Sequence, residues 1–202
     1  MLSLFKKNST KSTTALITKN KIMLADKELL QELILTDRFV LMRINGKEVL
    51  FDPARDENYL VDKEAKVLKA IDDSEQQLKM NQFKSLIGSV KVEFQNSSLK
   101  FNGFACREIK LANEAEKIAL TGTLLLTKHP DLEKTVYNAF YRKQQQTGFY
   151  TIDLQPDEIV VSVNVDLTVN GNVQHNQMEL ISIEPLTETA DIDTYLNFKV
   201  KN

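Results

Sequence analysis

The sequence predicts an α+β fold, an antiparallel sheet with two helices packed against one face. Three observations predict it. Residues 159–169, "IVVSVNVDLTV", alternate apolar and polar side chains, and Asn170-Gly171 follows as a hairpin turn. Asn45-Gly46 marks a second tight hairpin between two apolar runs. The two stretches with helical periodicity are separated by several strands, and no strand–helix–strand alternation accompanies them, which argues against a doubly wound parallel sheet.

The elements follow in order. Residues 1–11 read as a flexible basic tail and 12–202 as one α+β domain, a length that needs neither disulfide nor metal to fold. Residues 12–25, "STTALITKNKIMLA", read as a strand. "DKELLQELILTD" fits two readings. Leu29, Leu30, Leu33 and Ile34 have helical spacing behind Asp26 as N-cap, and a strand over 27–35 competes. In "DRFVLMRINGKEVLFDP" a two-residue turn at Asn45-Gly46 places Arg43 opposite Glu48, Met42 opposite Val49, Leu41 opposite Leu50 and Val40 opposite Phe51. Apolar residues on both faces predict a hairpin covered on both sides. Short strands follow near Tyr59–Val61 and 67–71.

Asp72, Asp73 or Ser74 caps a helix over "SEQQLKMNQFKSLI", with Leu78, Phe83, Leu86 and Ile87 as its apolar face and Gly88 as its stop. Strands resume at "SVKVEF", "GFACREIKLA" and "IALTGTLLLT". Pro130 opens a second helix over "DLEKTVYNAFYRKQQQ", with Leu132, Val136, Tyr137, Phe140 and Tyr141 on its apolar face and Gly148 as its end. The turn at Asn170-Gly171 pairs Val163 with Met178 and Val161 with Leu180, then Val165 with Asn176 and Leu167 with Gln174. Apolar partners match at the base and fail at the tip, so the tip is expected to project. Tyr195, Phe198 and Val200 are the docking residues of the C-terminal segment.

The chemistry is sparse. No phosphate loop, dinucleotide fingerprint, nucleophile elbow or C-x-x-C motif is present. His129 and His175 lie in different elements and read as a capping and an exposed histidine rather than metal ligands. Asp72 and Asp73 read as helix caps, and Asp191 with Asp193 lacks the further oxygens a calcium loop needs. Cys106 reads as a small buried residue. No nucleophile, base and orienting group can be assembled, so the expectation is a non-enzyme without cofactor or metal.

A net charge of −2 argues against a nucleic-acid binder. Lys6, Lys7, Lys11, Lys19 and Lys21 precede the first acid. Their scatter favours a solvated arm, with peripheral contact to an anionic membrane surface as the alternative. In "MLSLFKKNSTKSTT" the apolar residues precede the lysines, the reverse of a secretory signal. That order predicts a cytoplasmic chain, or an extracytoplasmic one whose signal was removed.

Several stretches resemble the LolA-like family of outer-membrane lipoprotein carriers, including its bacterial branch of unknown function. They are "VLMRINGKEVLFDPARDENYLVDKEAKVLKAI", "FNGFACREIKL" with Gly103, Phe104 and Cys106, "GTLLLTKHPDLEKTVYNAF", "DEIVVSVNVDLTV…MELISIEP" and "DIDTYLNFKV". The resemblance implies a curved half-barrel whose helices close its concave side over an apolar hollow. It also implies a hydrophobic, lipid-like ligand or a lipoprotein chain as partner. The residues expected to line that hollow are Phe83, Leu86, Val136, Tyr137, Phe140, Tyr141, Val161, Val163 and Val165. A protein-interaction or structural module without a pocket is the alternative reading.

Overall fold

The computed structural model describes residues 15–24, 27–113, 115, 118–187, 192 and 194–201, with the side chains of 96–98 left aside. The proposed basic tail, Asp26, Asp191 and Asp193 lie outside them. Among the described residues, twelve strands form one open sheet. Its first half is a meander: β1 (Leu16–Leu24), β2 (Lys27–Leu35), β3 (Val40–Ile44), β4 (Lys47–Asp52), β5 (Glu57–Asp62) and β6 (Val67–Ala70). Its second half is another: β7 (Lys91–Phe101), β8 (Phe104–Ala112), β9 (Ile118–Lys128), β10 (Glu158–Val169) and β11 (Asn172–Pro185). The halves join where β11 pairs with β1, and β12 (Lys199–Lys201) adds to the β6 edge. Every pair is antiparallel except β12 with β6.

Residues 27–35 form a strand. Their apolar residues meet β1 on one side and β3 on the other, as in Leu35 opposite Leu16 and Val40. Ladder hydrogen bonds and two-sided burial override a helical spacing that only an isolated segment would express.

Both hairpins form in the expected registers. Arg43 faces Glu48 and Val40 faces Phe51, with Asn45 and Gly46 at φ +50° and +70°. Val163 faces Met178 and Leu167 faces Gln174, with Asn170 and Gly171 at +49° and +82°. Positive φ at both central residues is the type I′ geometry whose twist matches that of the strands. Between them, Val40 and Phe51 enter one apolar cluster while Leu41 and Leu50 enter another on the opposite face, so this hairpin is covered on both sides.

α1 (Ser74–Ile87) ends at Gly88, whose φ is +73° and whose N–H donates to the Lys84 carbonyl. Asp72 Oδ1 accepts from the Ser74 amide at its start. The second helical segment is broken where the periodicity ran on. A 3-10 turn spans Pro130–Lys134, and α2 begins only at Tyr137 and runs to Gln146. Thr135 is extended between them, its hydroxyl donates to the Leu132 carbonyl, and the Val136 amide is drawn away to the Thr36 carbonyl in the β2–β3 turn. A β-branched pair with outside hydrogen bonds ends one helix and starts the next.

The sheet curves around α2. The ring of Phe140 meets that of Phe51 on β4 edge-on at 5.8 Å, and three residues earlier the hydroxyl of Tyr137 meets the backbone of Val160 on β10. β4 and β10 are five strand steps apart in the sheet, ~24 Å if it were flat. A helix with its side chains is only ~10–12 Å wide. One helix can touch both strands only if the sheet curls.

The C-terminal segment closes the other face at the β2–β6 end, where Tyr195 and Ile192 join Ile34, Leu41, Leu50 and Tyr59. Phe198 and Val200 pack against the same cluster, as expected of docking residues. A polar latch holds it. Glu48 accepts from Lys63 at 2.7 Å, Tyr195 at 2.7 Å and Arg43 at 2.9 Å. Burial alone would raise the Glu48 carboxyl, but these three donors outweigh it and hold it below the usual carboxylate range. A depressed folded pKa gives stability that is present above the unfolded value of ~4.3 and lost as pH falls through the folded one. The urea midpoint of the wild type is therefore expected to fall more steeply below about pH 4.3 than that of Glu48→Gln. Parallel curves for the two would rule the latch out as an acid-sensitive element.

Candidate functional site

The nine residues expected to line a hollow divide between two neighbouring apolar clusters. Tyr137, Phe140 and Val161 are buried in the first, with Leu16, Leu33, Leu35, Val40 and Phe51, and Val136 packs against it half-buried. Val165 is buried in the second, with Ile87, Leu120, Leu124 and Ile152, and Phe83 and Val163 pack against it. Tyr141 touches both, as does Leu154 from the chain that leads into β10. Leu86 belongs to neither. It is 63% exposed, and Leu78 on the same helix is 60% exposed. The expected apolar face of α1 is therefore mostly unburied: Ile87 is the helix's one buried residue.

The reason lies in how α1 is held. Its C-terminal end is pinned by Asn113, whose Nδ2 donates to the carbonyls of Ile87 at 2.7 Å and Ile118 at 2.8 Å. Phe83 then tilts against Phe149 at 5.5 Å, and Lys84 donates to the Gln146 carbonyl at the end of α2. The first half of the helix leans on nothing comparable. α1 is attached by one end over β9, the second cluster and the aromatic residues beneath it.

The strand floor departs from strict alternation in β10. The β9–β10 register slips between Val160 and Ser162, so Val161 is the extra residue of a bulge. Val160 joins the second cluster, while Ile159 and Val161 join the first. A bulge inserts a residue and re-aims its neighbours, so a uniform period of two does not extend through it. Further along, Gly122 of β9 lies opposite Val165, and a Cβ at Gly122 would come within 2.8 Å of the Asn164 carbonyl and of Val165 itself. Glycine there gives Val165 its room.

The aromatic residues make the site amphipathic. Tyr137 and Tyr141 stack at 6.1 Å. Burial holds the hydroxyls of Tyr137 and Tyr141 protonated far above the ordinary tyrosine range, Tyr141 also through its neighbours Tyr150 and Tyr137. Burial pushes Tyr150 up to about 12. Such groups donate hydrogen bonds and do not act as bases near neutral pH. Gln145, also buried, exchanges hydrogen bonds with the backbone of Ile152 and ties α2 to the loop before β10. The sequence reading missed Phe149, Tyr150, Leu154 and Gln145 because they follow or end a helix and belong to no periodic run.

The remaining candidates are structural. His129 caps the 3-10 turn by accepting from the Asp131 amide, as a capping histidine should. His175 is exposed on β11 with Nδ1 2.6 Å from Asp166. Cys106 is buried, its thiol pushed up by that burial, which makes it a poor nucleophile.

No family model matches the chain, and no curated protein matches it. Among solved structures it is similar to a crystal structure of a domain provisionally assigned as an outer membrane lipoprotein-sorting protein, from Vibrio parahaemolyticus. That similarity has a TM-score of 0.35 at 10% identity and covers 91% of this chain and 90% of that chain.

Proposed function

We propose that this chain is a non-enzymatic binding protein, a half-barrel that holds an apolar or lipid-like ligand, or a lipoprotein chain, against its curved sheet beneath α1. The observation that carries this reading is the attachment of α1. The helix is fixed at its C-terminal end, buries one side chain and sets its own Phe83 against Phe149, in the cluster that Tyr141 and Tyr150 also pack against. Lifting such a helix breaks few apolar contacts and opens an aromatic-lined floor, the usual composition of a small-molecule site. A fluorescent fatty acid is expected to bind saturably to the wild type. Phe83→Asp, at a half-exposed position, should weaken that binding at least about tenfold, or ~1.4 kcal/mol, with the circular dichroism unchanged. Binding that never saturates, or that ignores Phe83→Asp, overturns the proposal.

A protein-interaction module is the second reading, and the hairpin tip favours it. Val173 is 51% exposed beside Asn170-Gly171, where apolar partners are mismatched across the strands. Unchanged partner recovery by Val173→Asp in a pull-down removes the tip as a contact surface.

A further inference from the structure

The sheet has two apolar faces, and they are covered by different means. α2 packs against one, where Phe140 meets Phe51. On the other, Ile34, Phe39, Leu41, Leu50, Tyr59 and Leu68 are fully buried. Among the described residues, neither helix contributes to their cluster. Its cover is Leu186, Ile192, Tyr195, Leu196, Phe198 and Val200, all from the segment after β11.

That segment is held lightly for what it covers. Its strand β12 has three residues and pairs with β6 in parallel at the sheet edge, the less stable kind of ladder. In the 3-10 turn Thr194–Asn197 the Phe198 amide donates to the Tyr195 carbonyl at 3.1 Å, and beyond it the Lys199 amide donates to the Lys66 carbonyl at 3.1 Å. Tyr195 and Phe198 meet edge-on at 5.3 Å, a contact inside the segment that does not need the sheet. The latch to Glu48 is open to water on the side of Lys63 and Arg43, which lowers the cost of breaking it. The sheet beneath would lose little else. Val40 and Phe51 stay buried on the α2 side, and β3 and β4 keep a paired neighbour on each side. Release also returns conformational entropy to the segment, and elements fixed by few contacts at a chain end open at lower free energy than the core they cover.

We propose that the C-terminal segment is a strap that opens and closes as its own unit while the sheet stays folded, withholding an apolar face when closed and baring Ile34, Leu41, Leu50 and Tyr59 when open. It is an autoinhibitory cover for that face, and the 2.7 Å bond from the Tyr195 hydroxyl to Glu48 is its clasp. The strap lies on the face away from α2 and is independent of the apolar-ligand reading above.

Native-state hydrogen exchange of the full chain, in urea below the unfolding transition, tests it. The Phe198 and Lys199 amides are expected to exchange about a hundredfold faster than those of β3 and β4, with a smaller but measurable urea dependence, because opening the strap exposes less surface than unfolding the sheet. Phe140→Leu, on the opposite face, should speed the β3 and β4 amides about tenfold and leave Phe198 and Lys199 unchanged, since it weakens the protein equally with the strap open or closed. Tyr195→Phe keeps the ring, removes the clasp hydroxyl and should speed the two strap amides about tenfold. Equal rates and urea dependence for strap and sheet, or equal acceleration of both by Phe140→Leu, mean that the segment leaves only when the sheet unfolds and overturn the strap. Exchange at Phe198 and Lys199 with no urea dependence marks fraying of single bonds and overturns the cooperative unit. Strap amides that ignore Tyr195→Phe overturn the clasp.

Discussion

Phe140→Ala is expected to lower the unfolding free energy by about 3–5 kcal/mol, at the upper end for a single core truncation. Phe140 is buried and meets Phe51 of β4 edge-on at 5.8 Å, an arrangement that aromatic rings prefer. Its loss removes apolar area and leaves a cavity where the curled sheet cannot follow, because Tyr137 on the same helix is still held against β10. Phe140→Leu keeps most of the volume and should cost about half as much. Urea unfolding followed by circular dichroism measures both. A loss below about 1 kcal/mol for the alanine variant would mean that α2 does not brace the two halves of the sheet, and the account of the curvature would fall with it.

The second large effect is electrostatic. Glu158 is 1% exposed, and its two carboxylate oxygens accept from Arg107 Nε at 2.6 Å and Nη2 at 2.8 Å. The Gln155 amide adds a third donor at 2.9 Å. The bidentate pair ties β8 to β10 across β9. Removing one partner of a buried pair leaves an uncompensated charge, which typically costs about 3–5 kcal/mol. Arg107 is itself one-third exposed, so water reaches part of the site, and Arg107→Met is expected to cost about 2–4 kcal/mol. Its packing over Phe94, with the guanidinium 4.8 Å from the ring centre, is lost at the same time. Adding Glu158→Leu to Arg107→Met should recover most of the loss, because no buried charge then remains. A double variant as unstable as the single one would place the cost in packing instead of charge.

Legibility followed the range of the interaction. The two Asn-Gly hairpins and their cross-strand partners could be read directly, since a two-residue turn sets the register on both sides of it. The stop of α1 at Gly88 and the cap at His129 are equally local. The bulge at Val161 showed in the string only as Val160, an apolar residue out of phase with the alternation, and the register slip itself comes from the pairing with β9. Leu86 and Leu78 carried the helical spacing of buried residues, yet Leu86 is exposed beside the pinned Ile87 and Leu78 lies in the half of α1 away from the pin.

By itself, the order of residues determined the α+β class, the strands of both meanders other than β2, the paired registers at Arg43–Glu48 and Val163–Met178, and the docking of Tyr195, Phe198 and Val200. Those features depend on side-chain period and turn conformation, which act over a few residues. Only the tertiary structure decided that residues 27–35 extend as a strand, that the second helix breaks at Thr135, and that β11 meets β1 to make one sheet. The curvature was already implied by the family resemblance, and the tertiary structure placed it around α2. Each of these is settled by burial and hydrogen bonding between segments far apart in the chain, and those interactions outweigh local propensities of a fraction of a kcal/mol per residue.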